Sequence, residues 1–373
     1  MTENREETVN DGPRILVVGV GGGGNNAVDR MIEAGVQGAE FAAVNTDMDV
    51  LNNSRAQIKL QIGKKLLNGY GAGADPSLGE SAAQENEEDN CRLVQAYDMV
   101  ILASGMGGGT GTGAAPFIAG CCKEAAILTV GVVTLPFSFE SAPRIAAAEA
   151  GIARLKEEVD TLLVIPNDKL LGLTDKPLLL TDAFQMADSV LKYIIQGIAN
   201  IVFNRGMVNI DFNDMKTALK GKGIGHMGVG MTDADGSVLD AVKQAVDSPL
   251  LDTTITGAEN LLINTSGNMN ITALSEAMNY IRELAGEKVN IIWGTVSGEQ
   301  EDNDKMIVTL IATGMEREKT EVSENHKKTE VPKTEEIRRK EILTRPISSN
   351  LRTKPQREIS IPPFLNYYAN YKN

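Results

Sequence analysis

Gly105-Met106-Gly107-Gly108-Gly109-Thr110-Gly111-Thr112-Gly113 decides the fold, and six of its nine residues lack a side chain. An apolar run that reads as a buried strand, Met99 to Ala103, precedes it. An apolar stretch with helical character, Ala114 to Cys122, follows it. Strand, glycine loop and helix in that order present bare backbone N–H groups and a helix N-terminus to an anion. A merely flexible loop would not need two threonines interleaved with glycines at this junction. The loop is not a Walker A motif, which ends in Gly-Lys-Ser/Thr; here Ala114 and Ala115 follow Gly113. Phosphate at such a loop is held by backbone amides, helix dipoles and hydroxyls, with Mg²⁺ supplying positive charge.

Two more small-residue loops accompany it. Gly19-Val20-Gly21-Gly22-Gly23-Gly24-Asn25-Asn26 follows the first apolar run and satisfies the G-x-G-x-x-G spacing of dinucleotide-binding folds. A nicotinamide site also expects an acid about 20 residues further on. Asp47 lies 28 residues beyond Gly19, in the polar turn Asn45-Thr46-Asp47. An NAD-dependent oxidoreductase is therefore the alternative, and it leaves the loop at 105–113 without a role. Gly69-Tyr70-Gly71-Ala72-Gly73-Ala74-Asp75-Pro76 is the third loop. Three such loops on one sheet edge would surround a triphosphate.

Strand and helix patterns alternate around these loops. Ile15 to Val20, Phe41 to Val44, Met99 to Ala103, Leu128 to Thr134 and Leu162 to Pro166 read as strands. Asn26 to Glu33, Leu78 to Gln95, Thr112 to Ala125 and Ser141 to Glu158 read as helices. The pattern predicts an α/β fold with a doubly wound, mainly parallel sheet over residues 13–180. A long central helix (181–204) follows, with Phe184, Ala187, Leu191, Ile194, Ile195, Ile198 and Val202 on one face. Residues 205–221 form a loop and short helix. A smaller α/β domain occupies 222–315, with strands near Val229, Leu261 to Asn264, Asn290 to Val296 and Met306 to Ala312, and helices at Ser237 to Val246 and Thr272 to Ala285.

The 373 residues carry a net charge of −14. From Glu316 onward there are 13 Lys and Arg against 9 Glu, so the body before it carries about −18. An acidic body is a poor non-specific nucleic-acid binder. No apolar run is long enough to span a bilayer, and residues 1–12 form a polar tail without a secretory core. Cys91, Cys121 and Cys122 are odd in number and lack metal-ligand spacing, which argues for a reducing cytoplasm and against disulfides or zinc. His226 and His326, the two histidines, read as bystanders rather than catalysts.

Two segments lie apart from the loops. In Asn209-Ile210-Asp211-Phe212-Asn213-Asp214, Asp211 is placed as a helix N-cap with Asp214 three residues later. From spacing alone both read as capping acids. Residues 316–357 form a charged linker that contains Pro332, Pro346 and Pro355. The chain turns apolar again over 358–373, from Ile359 through Tyr371, in the manner of a docking peptide on a tether.

The ordered motifs resemble the tubulin superfamily, whose signature GGGTGTG stands at Gly107 to Gly113. GVGGGGNNAV at 19–28, NTD at 45–47, GAGAD at 71–75, IPND at 165–168 and NIDFND at 209–214 are similar to its bacterial FtsZ branch, as is Ile361-Pro362-Pro363-Phe364-Leu365. The resemblance spans about residues 13 to 315. It implies a GTPase that binds GTP or GDP with Mg²⁺ and polymerises head to tail at the bacterial division ring, on the inner face of the membrane and without inserting into it. It places Gly22, Gly23, Gly24, Asn25, Asn26, Gly71, Ala72, Gly73 and Ala74 around the nucleotide, together with Gly107, Gly108, Gly109, Thr110, Gly111, Thr112 and Gly113. Glu140 and Arg144 match ribose-side contacts, and Asn167, Phe184 and Asp188 the guanine end. It also reverses the reading of the acids: Asn209, Asp211 and Asp214 would serve the GTP of the neighbouring subunit. Residues 361–365 would bind division proteins such as FtsA-like membrane tethers. Leu135, Ser141-Ala142-Pro143 and Asn366 depart from the family pattern, which favours basic residues there.

Overall fold

In the computed structural model the described residues are 12–171, 179–203, 210–232, 237–247, 254–267, 271–296 and 306–315. Asn209, most of the N-terminal tail, the linker and the docking peptide lie outside them. The first half runs β1 (Ile15–Val20), α1 (Gly21–Glu33), β2 (Ala39–Asn45), α2 (Met48–Asn53), β3 (Ile58–Gln61), α3 (Lys64–Leu67), α4 (Pro76–Glu85), α5 (Glu87–Val94), β4 (Met99–Gly105), α6 (Thr110–Glu124), β5 (Leu128–Leu135), α7 (Ala142–Glu158), β6 (Thr161–Pro166) and α8 (Asn167–Leu171). The second half runs α9 (Leu180–Phe203), α10 (Phe212–Leu219), β7 (Gly223–Ile224), β8 (His226–Thr232), α11 (Val238–Val246), β9 (Asn260–Ser266), α12 (Ile271–Ala285), β10 (Asn290–Val296) and β11 (Met306–Thr313).

Seven strands form one sheet in the order β3-β2-β1-β4-β5-β6-β7, and their pairings are parallel. The strand order reverses between β1 and β4, which opens a crevice at their C-terminal ends. β1 is apolar throughout because both its faces are covered. Ile15 and Val17 enter a core shared with α1, α9 and α10. Leu16, Val18 and Val20 enter a second core with α4, α6 and α7. A smaller sheet, β10-β9-β11-β8, has one parallel and two antiparallel pairings. Its outer core includes Val238, Leu261, Ile281 and Leu310.

The helix α9 is a spine between the sheets. Leu191, Ile194, Ile195 and Ile198 share a core with Val130 and Leu163 of the large sheet and with Met227, Leu262 and Ile311 of the small one. Gly197 lets the sheet approach: a Cβ there would lie 2.6 Å from Met227 Cε.

The structure departs from the sequence reading at several points. Leu78 to Gln95 is not one helix; α4 ends at Glu85, α5 begins at Glu87, and Asn86 stands between them. Asn86 Oδ1 accepts the Gly63 N–H at 2.9 Å while its amide donates to Asp89, so its side chain serves a tertiary contact at the break. The glycine loops are themselves first helical turns: α1 starts at Gly21 and α6 at Thr110. β3, α2, α3, α8 and β7 went unanticipated, being too short to show a period. Cys91 and Cys121 form a disulfide between α5 and α6, with Cα atoms 5.1 Å apart. This overturns the expectation of no disulfide, because spacing along the chain carries no information on which helices lie side by side. Cys122 is a buried free thiol.

Candidate functional site

All three glycine loops converge on one cavity of about 460 Å³ at the C-terminal edge of the large sheet. Gly22, Gly23 and Asn26 reach it from α1, Ala72 and Ala74 from the third loop, and Gly108, Gly109, Thr110 and Gly111 from the start of α6. Glu140, Arg144, Asn167, Phe184 and Asp188 complete it. Gly105, Met106, Thr134, Pro136 and Ala187 also line it. Gly105 and Met106 open the glycine run already singled out, whereas Thr134, Pro136 and Ala187 were not read as site residues; their one local signal is adjacency to residues that were.

The remaining glycine-loop residues build the wall from behind. Asn25 is 1% exposed, and the amide orientation that suits its surroundings donates to Gly21 O at 2.6 Å and Gly19 O at 3.0 Å. A Cβ on Gly24 would collide with Ala103 O, and one on Gly113 with Pro76 O of α4. Thr112 Oγ1 accepts the Gly107 N–H at 2.8 Å, and Gly107 has φ +95°. Gly71 and Gly73 shape the third loop without lining the cavity; Gly73 takes φ +58°. Gly22 and Gly108 differ from Gly24 and Gly113. Nothing lies within 4 Å of where their Cβ atoms would be, and both face the cavity. Their lack of a side chain keeps open a space that the protein itself does not fill.

Helix termini supply the polarity. Side chains cap α2, α4, α10 and α11, through Asp47, Asp75, Asp211 and Ser237 respectively. The two helices that open on the cavity lack this: neither Val20 before α1 nor Gly109 before α6 offers a side-chain cap, and neither first turn holds an acid. Their leading N–H groups and positive dipole ends suit an external anion. Among the described residues Arg144 is the single Lys or Arg of the lining, and its Nε sits 2.9 Å from Glu140 Oε2. Glu140 also accepts the Phe137 N–H at 2.9 Å.

The far end of the cavity is different. Phe184 meets Phe137 edge to face, with ring centroids 5.4 Å apart. Asn167 is 5% exposed, and its Oδ1 is buried without a hydrogen-bond partner among the described residues. Asp188 is raised above its ordinary pKa by burial, opposed by Arg30 and by a hydrogen bond from Asn26. This end therefore offers a carboxylate and an unspent carbonyl to a ligand rich in N–H donors.

Asp211 and Asp214 do not line the cavity. Both are exposed, and Asp211 caps α10 by accepting the Asn213 N–H at 2.7 Å. Asp47, the acid that a nicotinamide site would need, caps α2 instead, with Oδ1 accepting from Asp49 and Val50. Ser141 does not cap α7 with its side chain, and Pro143 occupies the first turn.

A doubly wound sheet with uncapped helix termini and glycine loops at its switch point defines a nucleotide-binding α/β protein. Residues 14–175 match the model of the Tubulin/FtsZ family, GTPase domain, and residues 223–316 that of the FtsZ family, C-terminal domain. The solved structure of an empty FtsZ dimer from M. jannaschii is 39% identical, covering 81% of this chain and 88% of that one with a TM-score of 0.76. CetZ1 from Haloferax volcanii, a GDP-bound monomer, shares the fold at 22% identity, covering 82% of this chain and 95% of that one at a TM-score of 0.71. CetZ2 from the same organism, solved as a GTPγS-bound protofilament, shares it at 19% identity and a TM-score of 0.70, over 82% of this chain and 94% of that one. The chain belongs to the tubulin/FtsZ family and carries its GTPase domain. Among the described residues no helix is long and apolar enough to cross a membrane.

Proposed function

We propose that this protein binds GTP in the cavity, hydrolyses it to GDP and phosphate, and self-assembles head to tail. The observation that carries the reading is the convergence of two uncapped helix N-termini, α1 and α6, on a cavity whose opposite end holds Asp188 and the unspent Asn167 Oδ1. The phosphates lie over Gly22, Gly23 and Gly108 to Gly111. Guanine lies beside Phe184, and its N1–H and 2-amino donors find Asp188 and Asn167. Adenine presents an acceptor at N1 and suits this end poorly. Gly24, Asn25, Gly71, Gly73, Gly107, Thr112 and Gly113 hold the loops that make these contacts. Mg²⁺, bound through the phosphates, would supply positive charge beyond that of Arg144, which is paired with Glu140.

The second half of the site comes from another copy. Asp211 and Asp214 are exposed, and among the described residues neither has an ion-pair partner, as befits acids that serve a neighbour. With Asn209, they would position and polarise the water that attacks the terminal phosphate. Hydrolysis would then depend on assembly, because phosphoryl transfer rests on positioning and electrostatics. The filament would form the division ring at the inner face of the membrane, recruited through residues 361–365 to FtsA-like adaptors. The test is light scattering by the purified protein at fixed Mg²⁺, with GTP and then GDP added. Cooperative scattering with GTP above a critical concentration supports the reading. Equal response to both nucleotides, or to neither, overturns assembly; absence of GTP binding overturns the site itself.

A further inference from the structure

The turn Asn45-Thr46-Asp47 after β2 spends its outer side chains locally. Asn45 Oδ1 accepts the Asp47 N–H at 3.2 Å, and Asp47 Oδ1 accepts those of Asp49 at 2.9 Å and Val50 at 3.2 Å. Thr46 does something else. Its hydroxyl reaches 64 residues along the chain to the hydroxyl of Thr110, at 2.9 Å. The bond links the segments that follow β2 and β4, strands that β1 separates in the sheet. Thr46 is fully buried and Thr110 is 9% exposed, so water does not readily replace either partner. Thr110 is the first residue of α6 and lines the cavity.

We infer that Thr46 is a positioning residue for the nucleotide, fixing the direction in which the Thr110 hydroxyl donates. This rests on the reading of the cavity as a nucleotide site. Each hydroxyl has one proton to donate and lone pairs to accept, so the pair has two polarities. An anionic phosphate oxygen only accepts. If Thr110 gives its proton to that oxygen, it has none left for Thr46, and Thr46 must donate to Thr110. The order is then Thr46 O–H to Thr110, and Thr110 O–H to the phosphate oxygen. A donor behind Thr110 also polarises its O–H bond, since chained hydrogen bonds strengthen one another in a low-dielectric setting. Without Thr46 the Thr110 rotor is free, and part of its time is spent turned away from the ligand. No proton is transferred; the effect is one of orientation.

The experiment is a double-mutant cycle on the full chain, read as GTP affinity by calorimetry, with thermal midpoints recorded in parallel. Thr46→Val, which keeps shape and removes the hydroxyl, is expected to weaken binding about 3- to 10-fold, the range of one net hydrogen bond. Thr46→Ser should restore affinity to within about twofold, since the donor returns. In a Thr110→Val background the Thr46→Val step should cost nothing further, because the group it orients is gone. Wild-type affinity in Thr46→Val, failure of Thr46→Ser to restore it, or an undiminished Thr46→Val penalty beside Thr110→Val would each overturn the inference. If Thr46→Val does not fold, Thr46→Ala takes its place in the cycle. A wild-type protein that binds no GTP overturns the nucleotide reading itself, an outcome distinct from failure of the cycle.

Discussion

Arg30 of α1 and Asp188 of α9 form an ion pair across the back of the cavity, Nε to Oδ2 3.4 Å. Burial raises Asp188 above its ordinary value of 3.8, and Arg30 pulls it back. A carboxylate so placed is harder to ionise in the fold than in the unfolded chain. Its ionisation therefore subtracts stability as pH rises from 3.8 through its folded-state value. Arg30→Met removes the opposing charge and pushes Asp188 further up. The variant is expected to lose about 1–2 kcal/mol at neutral pH, between an exposed pair and a buried one. The deficit should shrink as the solution is acidified and Asp188 takes up its proton. Thermal midpoints of both proteins from neutral to acidic pH check this; a deficit independent of pH contradicts it.

Two groups of glycines are expected to separate stability from binding. Gly113→Ala drives a methyl into Pro76 O of α4 and should cost about 1–3 kcal/mol. Gly22→Ala and Gly108→Ala meet no protein atom within 4 Å. They should leave stability within about 0.5 kcal/mol of the wild type, as changes without packing consequences do. Their methyls enter the cavity, so nucleotide affinity should fall by about tenfold or more. Calorimetric unfolding and nucleotide titration of the three variants decide the matter.

Asp211 has a structural duty and a proposed chemical one, and two substitutions part them. Asp211→Asn keeps an oxygen to accept the Asn213 N–H and should leave stability nearly unchanged, because Asn caps as well as Asp. Asp211→Ala should cost about 1 kcal/mol. Both should bind GTP normally and release phosphate at least about 100-fold more slowly, the scale of a lost acid–base or positioning group. Phosphate release alongside GTP binding tests it. Normal turnover in Asp211→Asn removes this residue from the chemistry.

The cysteines are expected to respond unequally. Cys91 and Cys121 close a loop with a sequence separation of 30 residues, so reduction should lower stability by about 3–4 kcal/mol in the chain-entropy account. Cys122 is pushed up to about 12 by burial, and thiolate is the reactive form. Without reductant the native protein should take up no maleimide; after mild reduction Cys91, which is partly exposed, should react first and Cys122 last. Mass spectrometry of the labelled chain reads the order.

The legible part of the molecule was its local grammar. Ile15 to Val20 is apolar at every position, and it is buried on both faces at the centre of a parallel sheet. The period of Leu191, Ile194, Ile195 and Ile198 placed one face of α9 in a core. Asp211 was placed as an N-cap and is one. Asn86 was not legible as a break, because what it bonds is the Gly63 N–H, brought near only by folding. Asn25, which the family resemblance places around the nucleotide, is best satisfied with its amide donating to the carbonyls behind the loop, a contact that only folding brings about.

By itself, then, the sequence determined where the longer strands and helices run, where backbone is bared by glycine and which residue types gather at the loops. Periodicity and steric freedom act over a few residues, so they are written in residue order. Only the tertiary structure decided that α1 and α6 aim uncapped termini into the same cavity, that Asn167 Oδ1 is left unspent at its far end, and that Thr46 lies against Thr110. Those facts depend on distances between segments remote along the chain, which arise when the two faces of the sheet are covered and the helices take up the positions that packing allows.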